Sequence, residues 1–142
     1  MKEARTYQHV DRIYHGSCLC TTVQFRTENL RDLVYCYCTQ CQRSHGGFAA
    51  YTATPTSSFK LLSASTLEWY DSSPAARRGF CTKCGSSLFW APSGQTFICI
   101  AAASINRGPD FQSIAHVHVG SKLSYYKLHG GITQYEKSMY ST

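Results

Sequence analysis

The sequence predicts a mostly β protein with a single domain, in which strands are pinned by bound metal as much as by the core. Aromatic residues make up 13% of the 142 residues, and the chain has ten tyrosines, a composition that favours strands. No segment repeats its apolar residues with a sustained helical period. Seven of the eight cysteines fall into three tight groups, a spacing that suits a tetrahedral metal ion and that disulfides do not need.

The strands are predicted from apolar residues that alternate with polar ones between turn signals. We expect them at residues 21–27, 33–38, 48–54, 59–62, 67–70, 77–80, 87–90, 96–102 and 115–119. The strands at 59–62 and 67–70 are expected to form a hairpin across Ser-Ala-Ser, and Pro92-Ser93-Gly94 is expected to turn the chain between two later strands. Residues 39–45 are expected to form a short helical turn.

The polar ends of the chain predict a lead-in over residues 1–13 and a tail over residues 137–142, on either side of a folded domain at 14–136. A hydrophobic fraction of 43% and a charged fraction of 15% exclude long disordered or coiled-coil regions. The longest apolar run, Phe97 to Ala103, is too short for a membrane span, and the first twelve residues carry no apolar stretch. We therefore expect a cytoplasmic protein with no membrane partner and with reduced cysteines.

The positive charge of the chain does not by itself indicate nucleic-acid binding. The net charge is +6, but the fourteen Lys and Arg are dispersed, with Arg77-Arg78 the only adjacent pair. Seven thiolates around two Zn²⁺ would lower the net charge further, to about +3. Nucleic acid is therefore not an expected partner, and the sequence leaves the oligomeric state open.

The cysteine groups are a first pair, a triplet and a last pair. They are Cys18 and Cys20; Cys36, Cys38 and Cys41; and Cys81 and Cys84. Seven ligands divide between two ions as four and three. The simpler partition joins the first and last pairs in one site, because the triplet can bind its own ion from one short segment; the alternative joins Cys36 and Cys38 with the last pair. A four-cysteine site is coordinatively full and therefore structural.

A three-cysteine site leaves one position open, which is the mark of a working zinc. His45 or Cys99 would close it in two alternative arrangements; we favour the open one, with Cys99 a buried apolar residue. Three thiolates make the metal a poor activator of water, whereas a substrate thiol is a suitable soft fourth ligand. The expected reaction is addition of a thiolate to a carbonyl, or the reverse cleavage of a carbon–sulfur bond. Hydrolysis by metal-bound hydroxide is the second choice.

Four stretches of the chain carry a resemblance to a known family. They are G-S-C-L-C, C-Y-C-T-Q-C-Q-R, G-F-C-T-K-C-G and A-H-V-H-V-G-S-K-L-S-Y-Y. The chain resembles the glutathione-dependent formaldehyde-activating enzyme family, which includes centromere protein V, over about residues 14 to 128. The resemblance implies a single-domain, zinc-pinned β-tent of antiparallel sheets, a structural zinc on the first and last pairs, and a looser second zinc on the triplet. It also implies a carbon–sulfur lyase that uses glutathione and formaldehyde.

Three departures from the family pattern fall beside the predicted pocket. Tyr37 stands between two cysteines where the family often has His, His118 replaces an aromatic residue, and Ser124-Tyr125 replaces Pro-Trp. A different thiol adduct, an imine or an aldehyde is therefore an alternative substrate. His116 and His118 alternate in a strand, so we expect them to share a face and to line the pocket or the core.

The sequence therefore predicts a carbon–sulfur lyase or thiol–carbonyl adduct synthase for a small thiol and a carbonyl compound, with the substrate thiol on the second zinc. Arg43 and Lys122 are candidates to bind a substrate carboxylate, and His45 is a candidate general acid. One alternative is a non-enzymatic zinc module that binds protein or nucleic acid. Another is a zinc-hydroxide hydrolase or deaminase acting on imines or aldehydes, although no H-x-E motif is present.

Overall fold

The structure, a computed structural model, describes residues 6–128 and 130–139. The described residues form β-strands, one α-helix and three short 3₁₀ turns. The strands are β1 (Tyr14–Ser17), β2 (Gln24–Thr27), β3 (Leu33–Cys36), β4 (Ala49–Pro55), β5 (Phe59–Ser63), β6 (Leu67–Ser73), β7 (Ala76–Cys81), β8 (Ser87–Pro92), β9 (Phe97–Ala101), β10 (Ile105–Asn106), β11 (Ser113–Val117) and β12 (Thr133–Gln134). The helix α1 spans Thr39–His45, which is the segment predicted to turn. None of the described helices is long and apolar enough to cross a membrane.

Two sheets confirm the mostly β, single-domain prediction. The small sheet is antiparallel with the order β10-β1-β2-β5, and the large sheet has the order β12-β11-β3-β4-β9-β8-β7-β6. Most neighbours in the large sheet are antiparallel, but β11 runs parallel to both β3 and β12. The large sheet is therefore mixed.

The predicted hairpin between residues 59–62 and 67–70 is wrong. The two segments are strands, but β5 pairs with β2 in the small sheet and β6 pairs with β7 in the large one. Phe59 at the start of β5 packs its ring 5.7 Å from Phe25 and 5.2 Å from Phe89. The chain therefore crosses between the sheets here, because β5 buries its aromatic side chain between them rather than against β6.

The main core lies between the two sheets. Phe25 of the small sheet and Phe89 of the large sheet are fully buried, with their ring centroids 5.3 Å apart and edge to face. Gly16 on β1 lets the small sheet approach this core: a Cβ there would overlap the Phe25 ring and lie 2.5 Å from the Ser104 carbonyl oxygen. Only glycine fits at this contact.

The described parts of both chain ends are tied to the domain. In the lead-in, His9 exchanges two backbone hydrogen bonds with Leu30, and its Nε2 lies 2.7 Å from the Asp32 carboxylate. The polar end beyond Gly130 supplies β12, which pairs with β11. Residues 1–5, at the start of the predicted lead-in, and residues 140–142 of the predicted tail lie outside the described residues.

Candidate metal centres

Four thiols from distant parts of the chain meet at one end of the two sheets. Cys18 and Cys20 follow β1, whereas Cys81 ends β7 and Cys84 follows it in a tight turn. All four sulfurs lie within 4.8 Å of one another, and the Cys18–Cys20 and Cys20–Cys81 sulfurs are 3.5 and 3.7 Å apart. A tetrahedral zinc with Zn–S bonds of about 2.3 Å would separate its sulfurs by about 3.8 Å. This four-sulfur cluster therefore fits a tetrahedral metal ion.

Donors around the four-sulfur cluster favour ionised thiols. The Thr66 hydroxyl lies 3.2 Å from the Cys81 sulfur, and the Ser86 hydroxyl lies 3.1 Å from the Cys84 sulfur. These hydroxyls lower the pKa of Cys81 and bring the pKa of Cys84 to about 5. Gly85, which follows the last pair, has a φ of +79°, a backbone conformation that glycine adopts without strain. The thiolate is the form that a metal binds, so the local structure prepares the ligands.

The triplet forms a second group, the three-sulfur cluster, at the start of α1. Cys36 ends β3, Cys38 is the N-cap residue of α1, and Cys41 lies in its first turn. The Cys38 sulfur accepts a hydrogen bond from the Cys41 backbone N–H at 3.4 Å, and all three sulfurs lie within 4.8 Å of one another. Hydrogen bonds from the Cys36 and Cys41 thiols hold the pKa of Cys38 far below its usual range. Cys38 is therefore the thiol of this cluster that ionises most readily, and the Cys36 and Cys41 thiols donate hydrogen bonds to its sulfur.

A cavity of about 270 Å³ opens over the three-sulfur cluster. Besides the three cysteines, its wall is formed by Arg31, Val34, Gln40, Tyr51, Ser73, Arg78, Trp90, Phe97, Cys99, Val117, His118, Ser138 and Met139. In the described part of the chain, no fourth His, Cys, Asp or Glu belongs to the sulfur group. Cys99 is buried in the cavity wall but is not part of the group, and His45 bonds to Tyr51 instead. The arrangement is therefore a three-ligand group that faces a cavity.

An arginine that the sequence reasoning did not select contacts this cluster. The two terminal nitrogens of Arg78 lie 3.8 and 3.7 Å from the Cys41 sulfur, and one donates to the Tyr51 hydroxyl at 3.1 Å. Since Arg only donates, the Tyr51 hydroxyl accepts from Arg78, and it also pairs with His45 Nε2 at 2.9 Å. Burial lowers the pKa of Arg78, but its interactions with Tyr51 and Cys41 outweigh that effect and raise the pKa, so the guanidinium stays charged.

His45 is set back from the cavity. Its Nε2 lies 2.9 Å from the Tyr51 hydroxyl, and it is not among the residues that line the cavity over the three-sulfur cluster. Burial and the nearby charge of Arg78 lower its pKa to about 4, so the ring is neutral at pH 7. A general acid must reach the atom that takes its proton, and His45 does not face this cavity. Its role as the general acid stays a prediction.

Of the other polar residues that the sequence predicted for the site, only one lines the cavity over the three-sulfur cluster. Neither Arg43 nor Lys122 lines the cavity, and the Lys122 ammonium donates to two backbone carbonyls, at 2.6 and 3.3 Å. His116 and His118 do not share a face. His116 is buried and its Nδ1 pairs with the Tyr37 hydroxyl at 2.8 Å, whereas His118 leaves the strand with a φ of +57° and lines the cavity. Strand β11 ends at Val117, and the turn of the backbone at His118 breaks the alternation of side chains that would have placed both histidines on one face.

The fold and the two cysteine clusters define a β protein with two candidate metal centres. The model of the glutathione-dependent formaldehyde-activating enzyme family matches residues 13–121. The chain belongs to this family, as its motifs indicated. A crystal structure of a Rhodobacter sphaeroides protein, a structural genomics target, is similar, with a TM-score of 0.58 and 24% identity over 68% of this chain and 91% of that chain. At this identity the likeness shows the fold alone. The search of curated proteins found no match.

Proposed function

We propose that the chain is a zinc-dependent enzyme that forms or cleaves a bond between the sulfur of a small thiol and the carbon of a small carbonyl compound. The observation that carries this proposal is the three-sulfur cluster, whose ligands face a cavity with no fourth ligand among the described residues. The four-sulfur cluster, with its full set of ligands, would hold a structural zinc.

Family membership supports the same class of chemistry, because the family is described by its action on formaldehyde with glutathione. Zinc at the three-sulfur cluster would supply a site that binds a thiol as its thiolate, the nucleophilic form. Glutathione is the thiol that the family description indicates, and formaldehyde is the carbonyl compound. All eight cysteines are free, which agrees with a reducing location such as the cytoplasm.

The residues of the chain would hold and neutralise this site. Cys36, Cys38 and Cys41 would bind the zinc, and Arg78 would offset the negative charge of the three thiolates. Tyr51 fixes the guanidinium of Arg78 through the hydrogen bond that its hydroxyl accepts. The apolar part of the wall lowers the polarity around the cluster, which strengthens these charge interactions.

The reaction is an addition of the thiol across the carbonyl double bond. The electron pair on the thiol sulfur forms a bond to the carbonyl carbon, and the carbonyl π pair moves to the oxygen. The proton that leaves the thiol ends on that oxygen, which gives a hemithioacetal. No carboxylate among the described residues lines the cavity, so water is the simplest carrier of this proton. The lyase direction is the reverse of these steps.

The decisive experiment combines zinc counting with turnover in the Cys38→Ser variant. Native mass spectrometry of the wild type should show two zinc ions and a glutathione adduct, and exchange NMR with labelled formaldehyde should show faster adduct formation than the uncatalysed reaction. Cys38→Ser should keep one zinc and a folded spectrum but lose both the adduct and the acceleration. Cys99→Ala, which removes a sulfur from the same wall but not from the cluster, should keep both zinc ions. Full turnover in Cys38→Ser would refute the proposal.

A further inference from the structure

The C-terminal segment, residues 130–139, extends beyond the family match, which ends at residue 121. Its strand β12 adds to the large sheet beside β11, and the Lys137 carbonyl accepts a hydrogen bond from the His118 backbone N–H at 2.9 Å. This pairing carries Ser138 and Met139 into the wall of the cavity over the three-sulfur cluster. The segment therefore adds its own residues to the family's site.

The wall combines apolar surface with positive charge. Val34, Trp90, Phe97, Val117 and Met139 supply apolar surface. Two guanidinium groups belong to the same wall, and no Asp or Glu of the described residues does. An ammonium group on a ligand would therefore find no carboxylate partner, whereas an apolar carbon chain and an anionic oxygen would each find a suitable environment.

The two arginines differ in what they offer a ligand. Arg31 is only 2% exposed and donates to the backbone carbonyls of Asp32 and Tyr51, so it contributes charge from beneath the wall. Arg78 is partly exposed, and its Nε is buried with no hydrogen-bond partner among the described residues. That nitrogen is closed to the cavity, but the terminal nitrogens are held by Tyr51, Ser44 and Gln40, so a ligand carboxylate in the cavity would face a fixed positive charge.

We infer that this cavity binds a compact mercapto acid, with an apolar body of a few carbons, one carboxylate and no ammonium group, more tightly than glutathione, and that the wall completed by the C-terminal segment makes this selection. This inference rests on the proposed function, because it takes thiol binding at the three-sulfur cluster as given. Glutathione carries an ammonium group and two carboxylates on a long backbone. The wall of the cavity of about 270 Å³ holds no carboxylate among the described residues that could pair with that ammonium group.

The test uses the full chain loaded with cobalt(II), whose absorption bands report a new thiolate ligand directly. The probes are 3-mercaptopropanoate, cysteamine and glutathione, titrated at pH 7. We expect 3-mercaptopropanoate to bind about tenfold more tightly than cysteamine, as charge-assisted pairing with arginine predicts. The free cysteamine thiol is more acidic, so its intrinsic tendency to ionise opposes the expected order. Equal or tighter binding of cysteamine or glutathione would overturn the inference.

Charge substitutions then test the role of the segment. Met139→Glu places a carboxylate in the wall and should shift the preference towards cysteamine by about tenfold. Gln134→Glu adds the same charge at an exposed position of β12 and should leave the preference unchanged. If Met139→Glu does not fold, Arg78→Met should abolish the preference instead. Identical behaviour of the two glutamate variants, or a preference that survives Arg78→Met, would overturn the inference.

The proposed function and the inference fail in distinguishable ways. If all three thiols change the cobalt spectrum with equal affinity, the three-sulfur cluster binds thiols, and only the selection by the wall is wrong. If no thiol changes the spectrum of the cobalt-loaded wild type, thiol binding at the cluster is wrong, and the inference falls with it.

Discussion

Replacing Cys81 with serine should unfold the protein, whereas the loss of the Cys99 thiol, which lies outside both clusters, should not. Cys81 joins the end of β7 to Cys20, 61 residues away along the chain, through the four-sulfur cluster. A metal there would be a cross-link between β7 of the large sheet and the connection that follows β1 of the small sheet. Serine removes one of its four ligands and leaves the remaining three thiols without a stable tetrahedral site.

The expected loss follows from the length of the loop that the metal closes. A cross-link that spans 61 residues removes chain entropy from the unfolded state worth about 4 kcal/mol. Direct metal–thiolate bonding adds to this, since structural zinc sites contribute about 10 kcal/mol or more to folding. Domains of this size are stable by only about 5–15 kcal/mol, so the loss is comparable to the whole stability. Cys99→Ala, which removes a buried sulfur outside both clusters, should cost about 1 kcal/mol.

The assay is thermal unfolding followed by circular dichroism, with zinc content measured on the same samples. Wild type and Cys99→Ala should unfold cooperatively at similar temperatures and hold two zinc ions each. Cys81→Ser should be aggregated or lack a cooperative transition, and a strong chelator should bring the wild type to the same state. A soluble Cys81→Ser protein that melts within a few degrees of the wild type would refute a structural role for this cluster.

Three further predictions concern single residues. Gly16→Ala should destabilise the protein by about 1–3 kcal/mol in chemical denaturation, because the new Cβ would overlap the Phe25 ring; an unchanged midpoint would contradict this close approach. His45→Asn should reduce the loss of stability between pH 6.5 and 4, because the folded pKa of about 4 lets the unfolded chain take up the proton first as the pH falls; parallel pH profiles for the variant and the wild type would contradict it. Arg78→Met should weaken metal binding at the three-sulfur cluster about tenfold in chelator competition, because the Cys41 thiolate loses its counter-charge, while the metal at the four-sulfur cluster stays bound. Unchanged affinity would show that metal binding does not need the charge of Arg78.

The features that the sequence predicted correctly depend on residues close together in the chain. The short helical turn predicted at residues 39–45 is helix α1, which begins after Cys38 and ends at Gly46, whose φ is +79°. Cysteine spacing also predicted which thiols the structure brings together, because a tetrahedral ion restricts the pairs that can share it.

The features that the sequence did not predict depend on contacts between distant segments. The pairing of β5 with β2 rather than β6 depends on Phe59 filling space between two sheets, which alternation within a strand does not encode. In the sequence, Arg78 stands out only as one of two adjacent arginines. Its contact with Cys41 depends on the pairing of β7 with β8 in the large sheet. The parallel pairing of β11 with β3 likewise joins two segments that are far apart in the sequence.

Strand β7 connects the two clusters, and this connection gives the four-sulfur cluster an influence on the chemistry. Cys81 at the end of the strand belongs to that cluster, and Arg78, three residues earlier, reaches Cys41 of the other cluster. A metal on the four-sulfur cluster would hold the end of this strand and so limit how far the Arg78 backbone can shift relative to Cys41. The arginine side chain is held separately, by its contacts with Tyr51 and Cys41, so the ion and these contacts would together position the charge.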